Sequence, residues 1–516
     1  MILAFNEGLP SPVAPPESLP FAISDFKTTP YHHQIFGVKW ALEREYCALF
    51  DEMGAGKSKQ AIDVSCLRWD RKDIDTVVVL CPAQVRTVWK NLVDGQIATH
   101  SWVPSWVGEF CYRTYDLLPP ERVRSAGKLY WIISTYEYLS NPANLKGFLR
   151  QLKGRKYSVI ADEGMFIKNE DAARTKSAIT VRDRAETAML LNGTPIGNTV
   201  VDIYSQMQFL HKSILGVKNF YHFRARFCKL GGFTGRQVIG YQNMPLLIKQ
   251  VAPHVIRRLK KDCLDLPPKS YTHTDVPMGP KTWRIYREMR DQMVAWLKEN
   301  DPTSSPVICQ HATVKYMRLA QITSGFIGGV EDMEAGGVKT EEIGSEKLDA
   351  TLDWVEMMVD NDPHFHGLIW SRFRPEQVRL VEALRKKGYQ THRIFGGQKA
   401  RERQDGITEF TAKTDKPVIM VGQPQAGGFG LNIQFNCWNV LRVSRDYSVI
   451  THQQAEDRVH RPGQKYNVLY NDMFATGPDG QQTVDHRIFA SIQKNEEFAD
   501  WTTSHWVKSL TEEITD

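Results

Sequence analysis

The sequence predicts an α/β protein built on two mainly parallel sheets, with a helical zone between them. Two observations carry this reading. Short apolar runs alternate with stretches of helical periodicity, first over residues 47–191 and again after residue 345. Each run in the front half also ends on polar or glycine-rich residues, and strand ends of that kind are where open parallel sheets bind ligands.

In chain order, residues 1–24 carry Pro10, Pro12, Pro15, Pro16 and Pro20 and read as a flexible arm. Ile35, Val38 and Leu42 give one apolar stripe, predicting a helix over 31–45. Strands are predicted over 47–50, 76–81, 131–134, 157–161 and 188–191, with a helix after Pro82, and a first lobe spans 25–210. Residues 211–344 read as helical protrusions and a linker. Helices are expected near 203–212 and 244–261 and over 281–297, with Gly231, Gly232, Gly235 and Gly240 in a loop. A second lobe, 345–516, starts with Ser345 as a helix N-cap. It continues with a helix over 375–387 stopped by Gly388, and with strands over 367–370, 391–395, 417–421 and 440–443.

The chain has 516 residues, of which 42% are hydrophobic and 24% charged, a balance that buries sizeable cores and excludes a disordered chain. A net charge of +6 permits a nucleic-acid partner without requiring one. The longest purely apolar run of the front half, Val77 to Cys81, falls far short of the roughly 20 residues that cross a bilayer, so no membrane partner is expected. The eight cysteines form no CxxC and read as reduced thiols. His364 and His366 beside Asp362 read as a surface turn.

The chemistry concentrates in a few segments. Gly54-Ala55-Gly56-Lys57-Ser58 follows a strand and opens a helix. Small residues there let backbone N–H groups curl around a phosphate, Lys57 reaches the β and γ phosphates, and Ser58 holds Mg²⁺. The strict pattern wants Gly where Asp51 stands. Asp162-Glu163 ends a buried strand: Asp162 suits Mg²⁺, and Glu163 suits orientation and deprotonation of an attacking water. Gln34, on the helix before the loop, suits recognition of an adenine edge. Arg458 and Arg461 are three apart and can share a helical face as arginine fingers. Gly427, Gly428 and Gly430 after a buried strand allow close approach to a phosphate of nucleotide or nucleic acid, and Gly430 is assigned to the nucleotide. The strand ends at Cys81-Pro82-Ala83 with Arg86, Ser134-Thr135-Tyr136 and Asn192-Gly193-Thr194-Pro195 offer further short polar donors. The basic run Arg257-Arg258-Leu259-Lys260-Lys261 reads as a helix end that contacts DNA, a solvated face or an import signal.

In order, HQIFGVKWAL (33–42), DEMGAGKS (51–58), DEGMFIKN (162–169), LNGTPIGN (191–198), VIRRLKKDCLDLPPK (255–269), QAGGFGLN (425–432) and QAEDRVHRPGQ (454–464) resemble the Swi/Snf family of DNA-dependent ATPases in helicase superfamily two. The resemblance covers roughly residues 25–495. It implies two RecA-like lobes that bind ATP and Mg²⁺ between them and double-stranded DNA across them. It implies catalytic roles for Lys57, Asp162, Glu163, Arg458 and Arg461. Two departures stand out. Met165 replaces the usual histidine of the acidic box, and Tyr447-Ser448-Val449 replaces a Trp-Asn-Pro triplet.

The function expected is an ATP-driven motor that translocates along or remodels duplex DNA or protein–DNA complexes. The alternatives are a fork-acting helicase that separates or anneals strands, with forked or single-stranded DNA as partner, a non-enzymatic ATP-gated DNA clamp, and an ATPase acting on protein or RNA. The short form fits, by family analogy, a cytoplasmic protein of a bacterium or a phage-infected host.

Overall fold

The computed structural model describes residues 9–14, 16–93, 95–111, 117–193, 199–231, 237–299, 306–328, 340–412, 414–427 and 433–493. The chain divides into two compact units, 1–265 and 266–516.

The first unit is built on a seven-stranded, all-parallel sheet. Its strands are β1 (Tyr46–Leu49), β2 (Thr76–Cys81), β3 (Ser105–Glu109), β4 (Leu129–Thr135), β5 (Tyr157–Ala161), β6 (Thr187–Leu191) and, after the hairpin β7 (Cys228–Gly231) and β8 (Gln237–Tyr241), β9 (Val255–Ile256). The order is β3-β4-β2-β5-β6-β1-β9. β2, β4, β5 and β6 are buried along their whole length, which is why they read as unbroken apolar runs. Val78, Leu80, Ile132, Val159 and Leu190 form one core with Tyr136, Phe148 and Leu210 from the covering helices.

The second unit carries β10 (Lys269–Pro277), the short pair β11 (Phe326–Ile327) and β12 (Glu341–Glu342), then β13 (His366–Trp370), β14 (Gln390–Ile394), β15 (Val418–Gly422), β16 (Asn439–Arg442) and β17 (Val468–Thr476). Its six-stranded parallel sheet has the order β10-β17-β16-β13-β15-β14. Each unit alone matches the α/β, mainly parallel class read from the sequence.

Several local expectations are corrected. At the described start of the arm, Leu9 is buried and the Pro10 carbonyl accepts the Arg257 N–H at 2.8 Å. The helix after Pro82 is only Arg86–Lys90. Gly231 and Gly240 lie in the β7–β8 hairpin, not a loop. The helix expected over 244–261 stops at Val251, because the chain turns at Pro253 and enters the sheet as β9. Ser345 stands at the N-cap, but its hydroxyl bonds the Asp349 carboxylate at 2.7 Å instead of a backbone N–H.

Gly388, at φ 92°, ends its helix as read. The seven described cysteines are free thiols. His364 lies in an exposed turn, whereas His366 is buried as the first residue of β13 with its Nδ1 bonded to the His364 carbonyl at 2.9 Å, and no group of three metal-type side chains occurs among the described residues. No helix among them is long and apolar enough to cross a membrane.

Candidate nucleotide site

The loop after β1 is shaped by two left-handed glycines, Gly54 (φ 83°) and Gly56 (φ 82°). A Cβ on Gly56 would come within 2.2 Å of the Gln34 amide nitrogen. The helix Lys57–Asp70 starts directly after Gly56, so Lys57 and Ser58 occupy its first positions. The Lys57 ammonium donates to the carbonyls of Asp51 (2.7 Å) and Glu52 (3.3 Å). Gln34 is buried: its Oε1 caps the Tyr31 N–H at 3.0 Å, and its Nε2 donates to the Ala55 carbonyl at 3.2 Å. Its amide is therefore tied to the loop from below.

Asp51 explains the departure from the strict phosphate-loop pattern. Its carboxylate is fully buried and takes a two-pronged contact from Arg258, Nε to Oδ1 at 2.8 Å and Nη2 to Oδ2 at 2.5 Å. Gln60 joins both, donating to Asp51 at 3.0 Å and accepting from Arg258 at 2.7 Å. Arg258 also donates to the His33 carbonyl, and burial pushes the His33 imidazole below its usual range. Gly37 makes room for this knot, since a Cβ there would lie 1.9 Å from Gln60 Oε1. On the strand side, β9 pairs with β1, and the Glu52 N–H donates to the Arg258 carbonyl at 2.8 Å. The basic run is thus no solvated helix face: Arg258 and Lys260 are buried, and the segment straps the loop.

Asp162 and Glu163 leave the end of β5. β6 alone separates β5 from β1, which places the two strand ends about 10 Å apart on one sheet edge. Asn192-Gly193, at the end of β6, fills that gap, and a Cβ on Gly193 would stand 3.5 Å from the Lys57 ammonium. Asp162 is 8% exposed; Trp89 Nε1 donates to its Oδ2 at 2.7 Å and the Glu163 N–H to its Oδ1 at 2.9 Å. Tyr136 fixes the Asp162 carbonyl at 2.8 Å. Burial pushes the Asp162 carboxyl up, while the Trp89 donor and the Lys57 charge favour its ionised form. Glu163 sits in the left-handed region, φ 54° and ψ 59°, a costly conformation for a residue with a side chain. Trp89 was not singled out from the sequence; the signal was a large indole in a helix feeding the core, whose buried N–H needs an acceptor.

In the second unit, the helix Val449–Glu456 ends before the two arginines. Arg458 and Arg461 lie in the following turn, not on one helical face, because Pro462 disfavours helix at the residue before it and Gly463 turns back at φ 98°. The turn is rooted at Glu456, which accepts from Arg442 (2.6 Å), Lys269 (2.8 Å) and Tyr271 (3.0 Å). Burial pushes the Glu456 carboxyl up, but His452, Arg442 and Lys269 outweigh it and hold the group well below the usual carboxylate range. Arg458 Nε donates to the Gln454 carbonyl at 3.2 Å, and the Asp457 carboxylate supports the Arg461 charge against burial. Tyr447 packs edge-on to Tyr316 in a core of its unit. Gly430, Thr194 and Pro195 lie outside the described residues.

Residues 33–324 match the model of the SNF2-related domain, and residues 347–463 match the helicase conserved C-terminal domain. An uncharacterized ATP-dependent helicase of Mycoplasma pneumoniae is 25% identical over 477 residues, covering 89% of this chain and 40% of that protein. Probable ATP-dependent DNA helicase CHR12 of Arabidopsis thaliana is 28% identical over 453 residues, covering 84% and 39%. The chain thus spans about two-fifths of the length of these curated relatives. Among solved structures, the Sulfolobus solfataricus SWI2/SNF2 ATPase core in complex with dsDNA aligns at 21% identity and a TM-score of 0.41, covering 96% of this chain and 98% of that one. With the family model matching more than half of its length, the chain belongs to the SNF2-related domain family.

Proposed function

We propose that this chain hydrolyses ATP to drive movement along, or remodelling of, duplex DNA and its protein complexes. The observation that carries the reading is the shared sheet edge of the first unit. There the Lys57 loop and the Asp162–Glu163 pair stand one strand apart, with the Lys57 charge acting on Asp162. Family membership and the helicase names of the relatives support it.

In this reading the loop's backbone N–H groups and Lys57 hold the β and γ phosphates. Glu163, projected by its left-handed backbone, orients and deprotonates the attacking water. Trp89 keeps Asp162 in place. Magnesium fits this donor set: a single buried carboxylate with lone pairs to spare, and no all-protein cage among the described residues, suits an ion shared with phosphate oxygens. Held by Ser58 and Asp162, it would neutralise charge on those oxygens. Arg458 and Arg461 are proposed to complete the site when the second unit closes on the first. Bonded as it is in this structure, Gln34 positions the loop, and adenine recognition by it requires that bond to be exchanged.

The test is ATP hydrolysis measured in parallel with no nucleic acid, single-stranded DNA, duplex DNA, forked DNA and RNA. The largest stimulation is expected with duplex. Stimulation by RNA alone, or by none, would reject the reading, and unwinding of the fork would favour strand separation. Duplex affinity should also fall as salt rises, with a log–log slope of about −0.9 per phosphate neutralised, and a flat response would argue against a backbone-binding groove.

A further inference from the structure

The first unit carries a concave surface at the opposite edge of its sheet from Lys57 and Asp162. It is a cavity of about 570 Å³ between the helix Pro142–Gln151, the turn that follows and the start of β5. The helix presents two parallel stripes with the same spacing. Leu145 and Leu149, continued by Leu152, form the floor, while Lys146 and Arg150, continued by Lys153, form one rim. Arg184 and Pro142 belong to the rest of the wall, and Tyr157 closes the bottom.

The lining holds five cations and no carboxylate. Lys146, Arg150, Lys153 and Arg184 are exposed, and among the described residues no carboxylate lies within ion-pair distance of any of them. Neighbouring arginines behave differently: Arg124 pairs with Asp75 at 3.0 Å, and Arg182 with Asp183 at 2.9 Å. The fifth cation, Arg155, is buried, donates from Nε to the Gln151 carbonyl at 2.8 Å and rests on the Tyr130 ring. It adds positive potential beneath the leucines without reaching solvent.

Cations alone would suit a nucleic-acid backbone. The leucine floor does not, because phosphates and sugars offer nothing to fill an apolar cavity. A polypeptide does both. An aromatic or aliphatic anchor enters the cavity, and flanking carboxylates meet the rim. We propose that this groove docks an acidic amphipathic segment of a partner protein, with Leu145, Leu149 and Leu152 receiving its apolar anchor and Lys146, Arg150, Lys153 and Arg184 its carboxylates. The rim sets the rate and orientation of encounter, and the floor holds the anchor.

The test uses the full chain and a fluorescein-labelled synthetic peptide whose Asp and Glu residues flank one Trp and one Leu, read by fluorescence anisotropy. A second peptide keeps the charges and replaces both anchors by Ser. A labelled duplex is the third probe. Lys146→Glu with Arg150→Glu should weaken the first peptide at least about tenfold, and the Ser-anchored peptide should bind the unmodified chain about tenfold more weakly than the first. Basal ATP hydrolysis should be unchanged, since neither residue belongs to the nucleotide site. The proposal is overturned if the first peptide does not bind, if both peptides bind alike, or if the double charge reversal leaves the first peptide's affinity unaltered. It is also overturned if the reversal removes duplex binding while sparing the peptide.

Discussion

Lys57→Ala should lower ATP turnover by about three orders of magnitude, on the scale seen when a preorganised charge or donor facing the reacting group is deleted. The side chain stands at the first position of the helix Lys57–Asp70, and its ammonium is held against the carbonyls of Asp51 and Glu52. Its charge favours the ionised form of Asp162. In the proposed reading its removal leaves the β and γ phosphates without their counter-charge, while the fold loses only two hydrogen bonds to loop carbonyls. Turnover and thermal unfolding measured on the same preparation check this. A fall in turnover matched by a collapse of the melting transition would assign Lys57 to the fold instead.

Arg258→Ala should have the largest effect on stability. Arg258 and Asp51 are both fully buried, so the substitution strands a carboxylate with Gln60 as its remaining side-chain partner. Breaking one side of such a pair costs about 3–5 kcal/mol. For a unit of this size that corresponds to a melting temperature lower by about 10 °C. The same change releases the His33 carbonyl and loosens the loop proposed to hold the nucleotide, so ATP affinity should fall with stability. Arg258→Lys restores the charge without the two-pronged geometry and should recover part of each. Unaltered melting in Arg258→Ala would show that the strap does not hold the loop.

The sequence was most legible where burial was complete. β2 and β5 were read with their observed bounds, because a parallel strand covered on both faces is an unbroken apolar run. β10 and β17 escaped for opposite reasons. β10 is an edge strand that is mostly exposed and reads as polar. β17 is buried but carries Asn471 and Asp472, the latter paired with Arg442 at 3.3 Å, a compensation only the fold supplies. β9 is two residues long, below any pattern.

The site followed the same logic. Lys57, Ser58, Asp162 and Glu163 can be singled out as candidates because the signals are local: a glycine turn, a strand end, an acidic pair. Asp51 looked like a defect in its motif, because its partner Arg258 lies 207 residues away. Trp89, 73 residues from Asp162, was invisible for the same reason. Arg458 and Arg461 read as helical from their spacing alone, but the helix ends at Glu456, before either of them.

In the proposed mechanism one triphosphate is held at Lys57 and completed by arginines about 400 residues downstream in the sequence. Its most direct test is Arg461→Ala, with ATP affinity, duplex affinity and phosphate release measured side by side. Both affinities should stay near those of the unmodified chain, and phosphate release should slow by about 10³, the scale of a lost arginine finger. Phosphate release at the unmodified rate would contradict it.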